Sequence, residues 1–238
     1  FSIDGTFSRK YGENFSLGTA VRYIRSSLSN GQFNGQDIKP ATALAADASA
    51  YFKKGTIMFG KDTELALGLN ISNIGTKMNY SDGSVKSFLP TNLKLGGAST
   101  FNIDDLNTFM VALDLNKLLV PTNPIRDQDG KIVRGKDPDR SVPSGIFGSF
   151  GDAPGGFSEE FNEISYSFGT EYWYNKQFAV RSGYFYEAPT KGDRRYFTIG
   201  TGLKYNVFNL DFAYLLANQQ TSPLAQTLRF SLVFNFEK

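Results

Sequence analysis

The sequence predicts an all-β fold, a transmembrane antiparallel β-barrel, and three observations predict it. Apolar and polar side chains alternate over stretch after stretch of roughly ten residues, the period of a strand with two different faces. The polar members are rich in glycine and carry both signs of charge, while the apolar members gather aromatics near the stretch ends. The connections between stretches alternate between short and long. A sandwich in water turns its apolar row inward. A barrel in lipid turns it outward, with aromatic girdles and a polar interior, and has short turns at one rim and long loops at the other.

The elements follow in order. Phe1–Arg9 is the first strand, with Phe1, Ile3 and Phe7 opposite Ser2, Asp4 and Thr6. After a turn at Lys10–Glu13, Asn14–Arg25 sets Phe15, Leu17, Val21 and Tyr23 against Ser16, Gly18 and Arg22. Ser26–Ala41 reads as a loop from its Ser, Asn, Gly and Gln content. Thr42–Lys53 is Ala-rich enough for a helical turn, yet Leu44, Ala46, Ala48 and Ala50 alternate with Asp47 and Ser49, so a strand fits better. Thr63–Ser72 alternates throughout, with Leu65, Leu67, Leu69 and Ile71 opposite Glu64, Ala66, Gly68 and Asn70. Asn73–Pro90 is a second long loop. Thr91–Ile103 and Leu106–Leu115 form a hairpin joined at Asp104-Asp105, and Leu118–Glu163 is the longest irregular segment.

Four more strands occupy Ile164–Leu216. Their apolar row reads Tyr166, Phe168, Tyr172, then Phe178, Val180, Tyr184, Tyr186, then Phe197, Ile199, Leu203, then Phe208, Leu210, Phe212, Tyr214, Leu216. Glu171, Arg181, Gly183, Gly200, Gly202, Asn209 and Asp211 make the other row. Thr227–Phe236 closes the chain, with Leu228, Phe230, Leu232, Phe234 and Phe236 against Arg229, Ser231 and Asn235. That is eleven strands by this reading. An odd number of further strands is expected ahead of Phe1, because single-chain bacterial barrels have an even count; three would give about fourteen. The whole of 1–238 reads as one barrel domain, with 118–163 as an extracellular loop and the C-terminus in the periplasm.

Composition narrows the chemistry. With no Cys and no His, disulfides, thiolate nucleophiles, Ser-His-Asp triads and the usual zinc sites are excluded. A net charge of +2 argues for no nucleic-acid partner. No run reaches the roughly 18 apolar residues of a membrane helix. The inward charges Asp4, Arg22, Glu64, Lys94, Asp114, Glu171, Arg181, Asp211 and Arg229 read as a lumen ladder of cross-strand pairs rather than as a catalytic constellation, so no enzyme and no cofactor is expected. Gly200-Thr-Gly202 lies mid-strand, which rules it out as a phosphate loop. Asp127-Gln-Asp129-Gly130 has the start of a calcium loop without its downstream ligands.

Within the long segment, Ser144–Phe157 places apolar side chains on a Gly-rich tip. Ile146, Phe147, Phe150 and Phe157 are the candidate partner-binding residues, since buried aromatic anchors dominate interface energy. The alternative is that this tip packs on its own barrel or plugs it.

Particular stretches carry a family resemblance: Leu67–Gly75, Leu89–Gly97, Gly169–Asn175, Ala179–Phe185, Arg194–Tyr205 and Asn209–Tyr214. They resemble the PorV/PorQ family, outer-membrane barrels of the Bacteroidetes type IX secretion system related in architecture to the FadL transporters, with PorV the nearer match. The resemblance spans Thr63 to the C-terminus, and residues 1–62 and the charged half of the long loop carry less of it. It implies a non-enzymatic role: association with a large translocon barrel of the SprA (Sov) type, acceptance of cargo proteins through a C-terminal signal domain, and delivery to the cell-surface attachment machinery. Two other readings compete: a FadL-type conduit for hydrophobic small molecules, and a soluble β-sandwich adhesin.

Overall fold

The computed structural model describes residues 1–27, 31–33, 36–80, 86–218 and 227–235. Its strands are β1 (Ser2–Tyr11), β2 (Phe15–Ser26), β3 (Gly31–Phe33), β4 (Gln36–Ile38), β5 (Ala41–Met58), β6 (Lys61–Gly75), β7 (Asn92–Asn102), β8 (Asn107–Leu118), β9 (Ile125–Arg126) and β10 (Ile132–Arg134). Helices α1 (Val142–Gly148) and α2 (Phe157–Asn162) follow, then β11 (Ile164–Tyr174), β12 (Phe178–Tyr186), β13 (Arg195–Tyr205), β14 (Phe208–Ala217) and β15 (Thr227–Phe234). Eleven strands form one sheet in the order β1-β2-β5-β6-β7-β8-β11-β12-β13-β14-β15. No β1–β15 pairing is present among the described residues. No helix is long and apolar enough to cross a membrane.

All eleven expected sheet strands form, and the differences lie in the connections. The link expected over 54–62 shrinks to Phe59-Gly60, because β5 and β6 continue pairing to either side and Lys53 meets Glu64 at 2.7 Å. Both turn residues have positive φ, 54° and 71°, as a two-residue hairpin turn requires. The loop expected over Ser26–Ala41 holds the small β3–β4 hairpin. The segment expected to be structureless, 118–163, contains the β9–β10 hairpin and both helices, so the Gly-rich tip runs from within α1 to the start of α2. Phe236 and most of the connection near 217–226 lie outside the described residues.

The chain divides into two compact units. Unit 1 comprises Phe1–Tyr51, Leu69–Lys94 and Asn116–Glu163. Its small core is Ala41, Ala43, Ala45, Met78 and Leu89. Within the Ala-rich stretch, Ala41, Ala43 and Ala45 are buried in this cluster with Met78 and Leu89, while Leu44 between them is exposed.

Unit 2 comprises Phe52–Gly68, Leu95–Leu115 and Ile164–Lys238. Its strands pair in strict register, Tyr172↔Val180 and Val180↔Thr201, then Thr201↔Phe212 and Phe212↔Phe230. Along this line the apolar row is on the surface. Phe212 is 42% exposed and Phe230 60%, and Phe168, Phe178, Ile199, Leu203, Leu216 and Phe234 are all exposed as well. Neighbouring rings along the row meet edge-on, Phe212–Phe230 at 5.1 Å and Phe208–Phe234 at 5.2 Å between centroids. A sheet that shows so much of its greasy row differs from that of a water-soluble sandwich, which turns that row inward.

Candidate functional site

Two groups of polar side chains organise the molecule beyond its strands. The first is the charged row. In unit 1, β1 and β2 place Asp4 directly opposite Arg22. The guanidinium donates to Asp4, to Asp47 at 3.3 Å and to Asn73 Oδ1 at 2.5 Å. Asn73 is the node of this group. Its N–H donates to Asp47 Oδ1 at 2.8 Å, its Nδ2 to the Pro90 carbonyl at 3.2 Å, and its own carbonyl accepts from Thr91 Oγ1 at 2.8 Å. All this happens at φ = 59°, a left-handed geometry that asparagine tolerates better than most residues. Asn73→Ala removes the side-chain partners and adds backbone strain, with an expected loss of about 2 kcal/mol in urea unfolding; Asn73→Gly relieves only the strain and recovers only part.

In unit 2 the same logic recurs. Arg181 of β12 donates to Glu171 of β11 and to Asp211 of β14, reaching across β13. Gly202 lets it pass, since a Cβ there would lie 2.7 Å from Asp211 Oδ1 and 2.9 Å from Arg181 Nη1. The glycines of the Gly200–Gly202 stretch are therefore wall residues of β13, as their mid-strand position implies. Arg22, Arg181 and Glu64 are all tied into ion pairs, so the row is a cross-strand ladder at these positions.

The second group anchors the cap, residues 119–163. By strand alternation Lys117 falls in the row of Leu113 and Leu115, yet it is buried. Its Nζ lies 2.9 Å from Glu160 Oε2 and 2.7 Å from Glu163 Oε2. The two carboxylates stand three residues apart at the end of α2 and so share one face. Glu163 Oε1 accepts from Thr122 Oγ1 at 2.7 Å, and Glu160 Oε1 accepts from the N–H groups of Asp152 and Ala153, both at 2.8 Å. Asp152 is itself fully buried and takes Arg140 Nη2 on Oδ2 at 2.9 Å. Burial pushes the Asp152 carboxyl above its ordinary range, while Thr122 and Arg140 pull it back.

Other charged loops carry the opposite sign. Glu187 receives both Nε (2.7 Å) and Nη2 (2.8 Å) of Arg194, and this fork holds its carboxyl below the usual range. In the β7–β8 turn, Asn107 and the N–H of Leu106 hold Asp104 low in the same way. Asp127 Oδ1 is spent on the N–H groups of Asp129 (3.1 Å) and Lys131 (2.8 Å), a turn cap within the β9–β10 hairpin. Among the described residues no group of three or more acidic side chains is placed to hold a metal ion.

The four candidate partner-binding residues all fall on the cap. Ile146 and Phe147 lie in α1, Phe150 just beyond it, and Phe157 opens α2. Phe147 is 79% exposed and Phe157 77%; Phe150 is exposed, while Ile146 is half-buried. Phe161 joins them, exposed and edge-on to Phe157 at 4.8 Å. Sequence reasoning missed Phe161, Lys117 and Asp152. The i, i+3 spacing of Glu160 and Glu163 was the signal available for the anchor.

A family model described as Type IX secretion system protein PorV matches residues 1–125, from β1 through β8 to the start of β9. The chain belongs to the PorV family. The match reaches back to residue 1, so it includes the residues 1–62 that carried less of the resemblance, and the motifs of β11–β14 lie beyond it. PorV-family proteins are outer-membrane components of type IX secretion, and that assigns this chain to protein transport. No curated protein matches the chain.

Proposed function

We propose that this chain is a non-enzymatic outer-membrane β-barrel of the type IX system that engages a large translocon barrel and receives cargo through a C-terminal signal domain for delivery to the attachment machinery. The exposed apolar row is the observation that carries the membrane part: residues such as Phe168, Phe212 and Phe230 at about half exposure find their solvent in lipid. The long connections then face outward and the short turns, together with the C-terminus, face the periplasm. Family membership supports the secretion part. The cap supports the recognition part, because Phe147, Phe150 and Phe157 form exposed aromatic surface held on two short helices above a buried ionic anchor.

The test is replacement of Ile146, Phe147, Phe150 and Phe157 by Ser. The variant is expected to remain a heat-modifiable membrane protein and to lose co-purification with translocon or cargo. Unchanged capture of both would refute the recognition role.

A conduit for hydrophobic small molecules is the second reading. It rests on a cavity of about 250 Å³ lined by Arg181, Thr198, Gly200, Asp211 and Arg229 among others. Uptake of labelled fatty acid by proteoliposomes decides it.

A further inference from the structure

The cap holds a titratable group that nothing in the secretion reading uses. The Asp152 side chain is completely shielded from solvent, and among the described residues its Oδ1 has no hydrogen-bond partner. A carboxylate oxygen left bare in the interior is costly, whereas a protonated carboxyl at the same place carries no charge to solvate. The groups around it come from every side. Arg140 neutralises Oδ2 from the irregular segment before α1, and Thr122 approaches from the segment after β8. Glu160 of α2 adds a second negative charge, itself shared with Lys117 of β8 beside Glu163.

We propose that a proton on Asp152 is the latch of the cap: with it bound, residues 141–163 are locked onto their anchor, and without it they loosen and the aromatic surface of α1 and α2 shifts with them. The sign follows from linkage. A carboxyl that binds its proton more tightly folded than unfolded stabilises the fold fully below the ordinary aspartate range. That contribution is lost as pH rises through the raised value. Burial is the largest influence on this group and acts in that direction. The Glu187–Arg194 fork works the other way, and its contribution is lost as pH falls through the lowered value. One chain thus carries two loops with opposite responses to acid.

Hydrogen exchange of the purified protein in detergent, corrected for intrinsic rates, reads both loops at once. As pH rises from below the ordinary aspartate range through the raised Asp152 value, protection of 142–162 is expected to fall several-fold, while protection near 187–194 does not fall. Asp152→Asn keeps the shape and the acceptor to Arg140 but cannot ionise, so its cap is expected to stay protected throughout. Glu160→Gln removes the second charge and moves the transition to lower pH. A flat profile in the wild type, or the same profile in Asp152→Asn, overturns the proposal. Infrared spectroscopy of the wild type supplies a readout independent of any variant's folding. A buried carboxylic C=O band is expected on the acid side and lost on the alkaline side, shifted in Glu160→Gln; no such band at any pH also overturns it.

Discussion

Replacing Phe212 with arginine is expected to cost about 2–4 kcal/mol when the chain folds into a lipid bilayer, the usual penalty for a guanidinium on the lipid face of a barrel near mid-depth. Phe212 sits in the middle of β14, between Thr201 and Phe230 in register, so its side chain has no rim to reach. Ser231→Arg makes the contrasting variant. Ser231 lies one residue along from Phe230 on β15 and therefore on the other row. Its substitution is expected to change the folding free energy by less than about 1 kcal/mol, since charges on the polar side pair or are hydrated. Urea titration of folding into liposomes, followed by gel mobility, measures both. Equal penalties at the two positions would reverse the assignment of the rows and remove the membrane reading with it.

Lys117→Met should produce the other large effect, and a local one. The thioether fills much of the lysine's volume but leaves Glu160 and Glu163 facing each other without their shared cation, 8% and 11% exposed. Breaking a buried ion pair from one side costs about 3–5 kcal/mol, more than a short two-helix segment can absorb. Exchange protection of 142–162 is expected to collapse while β11–β14 stays protected. Adding Glu160→Gln and Glu163→Gln to the same chain is expected to restore much of the protection. The new amides need no cation, and the side-chain oxygen at position 160 still accepts from the N–H groups of Asp152 and Ala153. If the triple variant stays as open as Lys117→Met, the anchor's role is packing rather than charge.

The strands were legible because their signal is local. Every second residue from Tyr166 to Leu216 states a face, and the structure sets most of those residues on the surface as alternation required. The far end of β5 was hidden by its own composition: Lys54-Gly55 reads as the start of a link after Lys53, whereas β5 runs on to Met58. The cap was less legible for a different reason. Helices α1 and α2 span seven and six residues, too short for a helical period to rise above the Gly and Pro around them. What fixes them is long-range: Lys117 reaches 43 residues ahead to Glu160. Asn73 was visible inside a motif, yet its role as a hub between β6 and residues 90–91 depends on a φ that no residue pattern announces.

The surface row of Phe, Leu, Ile and Tyr also sets how freely the chain can drift. Acyl chains are a fluid with no fixed shape, so leucine, isoleucine and phenylalanine are nearly interchangeable wherever one of them meets that fluid. Asn73, Gly202 and the partners of Lys117 have no such licence, because each answers to a particular atom a few ångströms away. A library randomised among greasy residues along β13 and β14 should yield mostly inserted, native-like protein, and one randomised at those few specific positions should yield far fewer chains with their local structure intact.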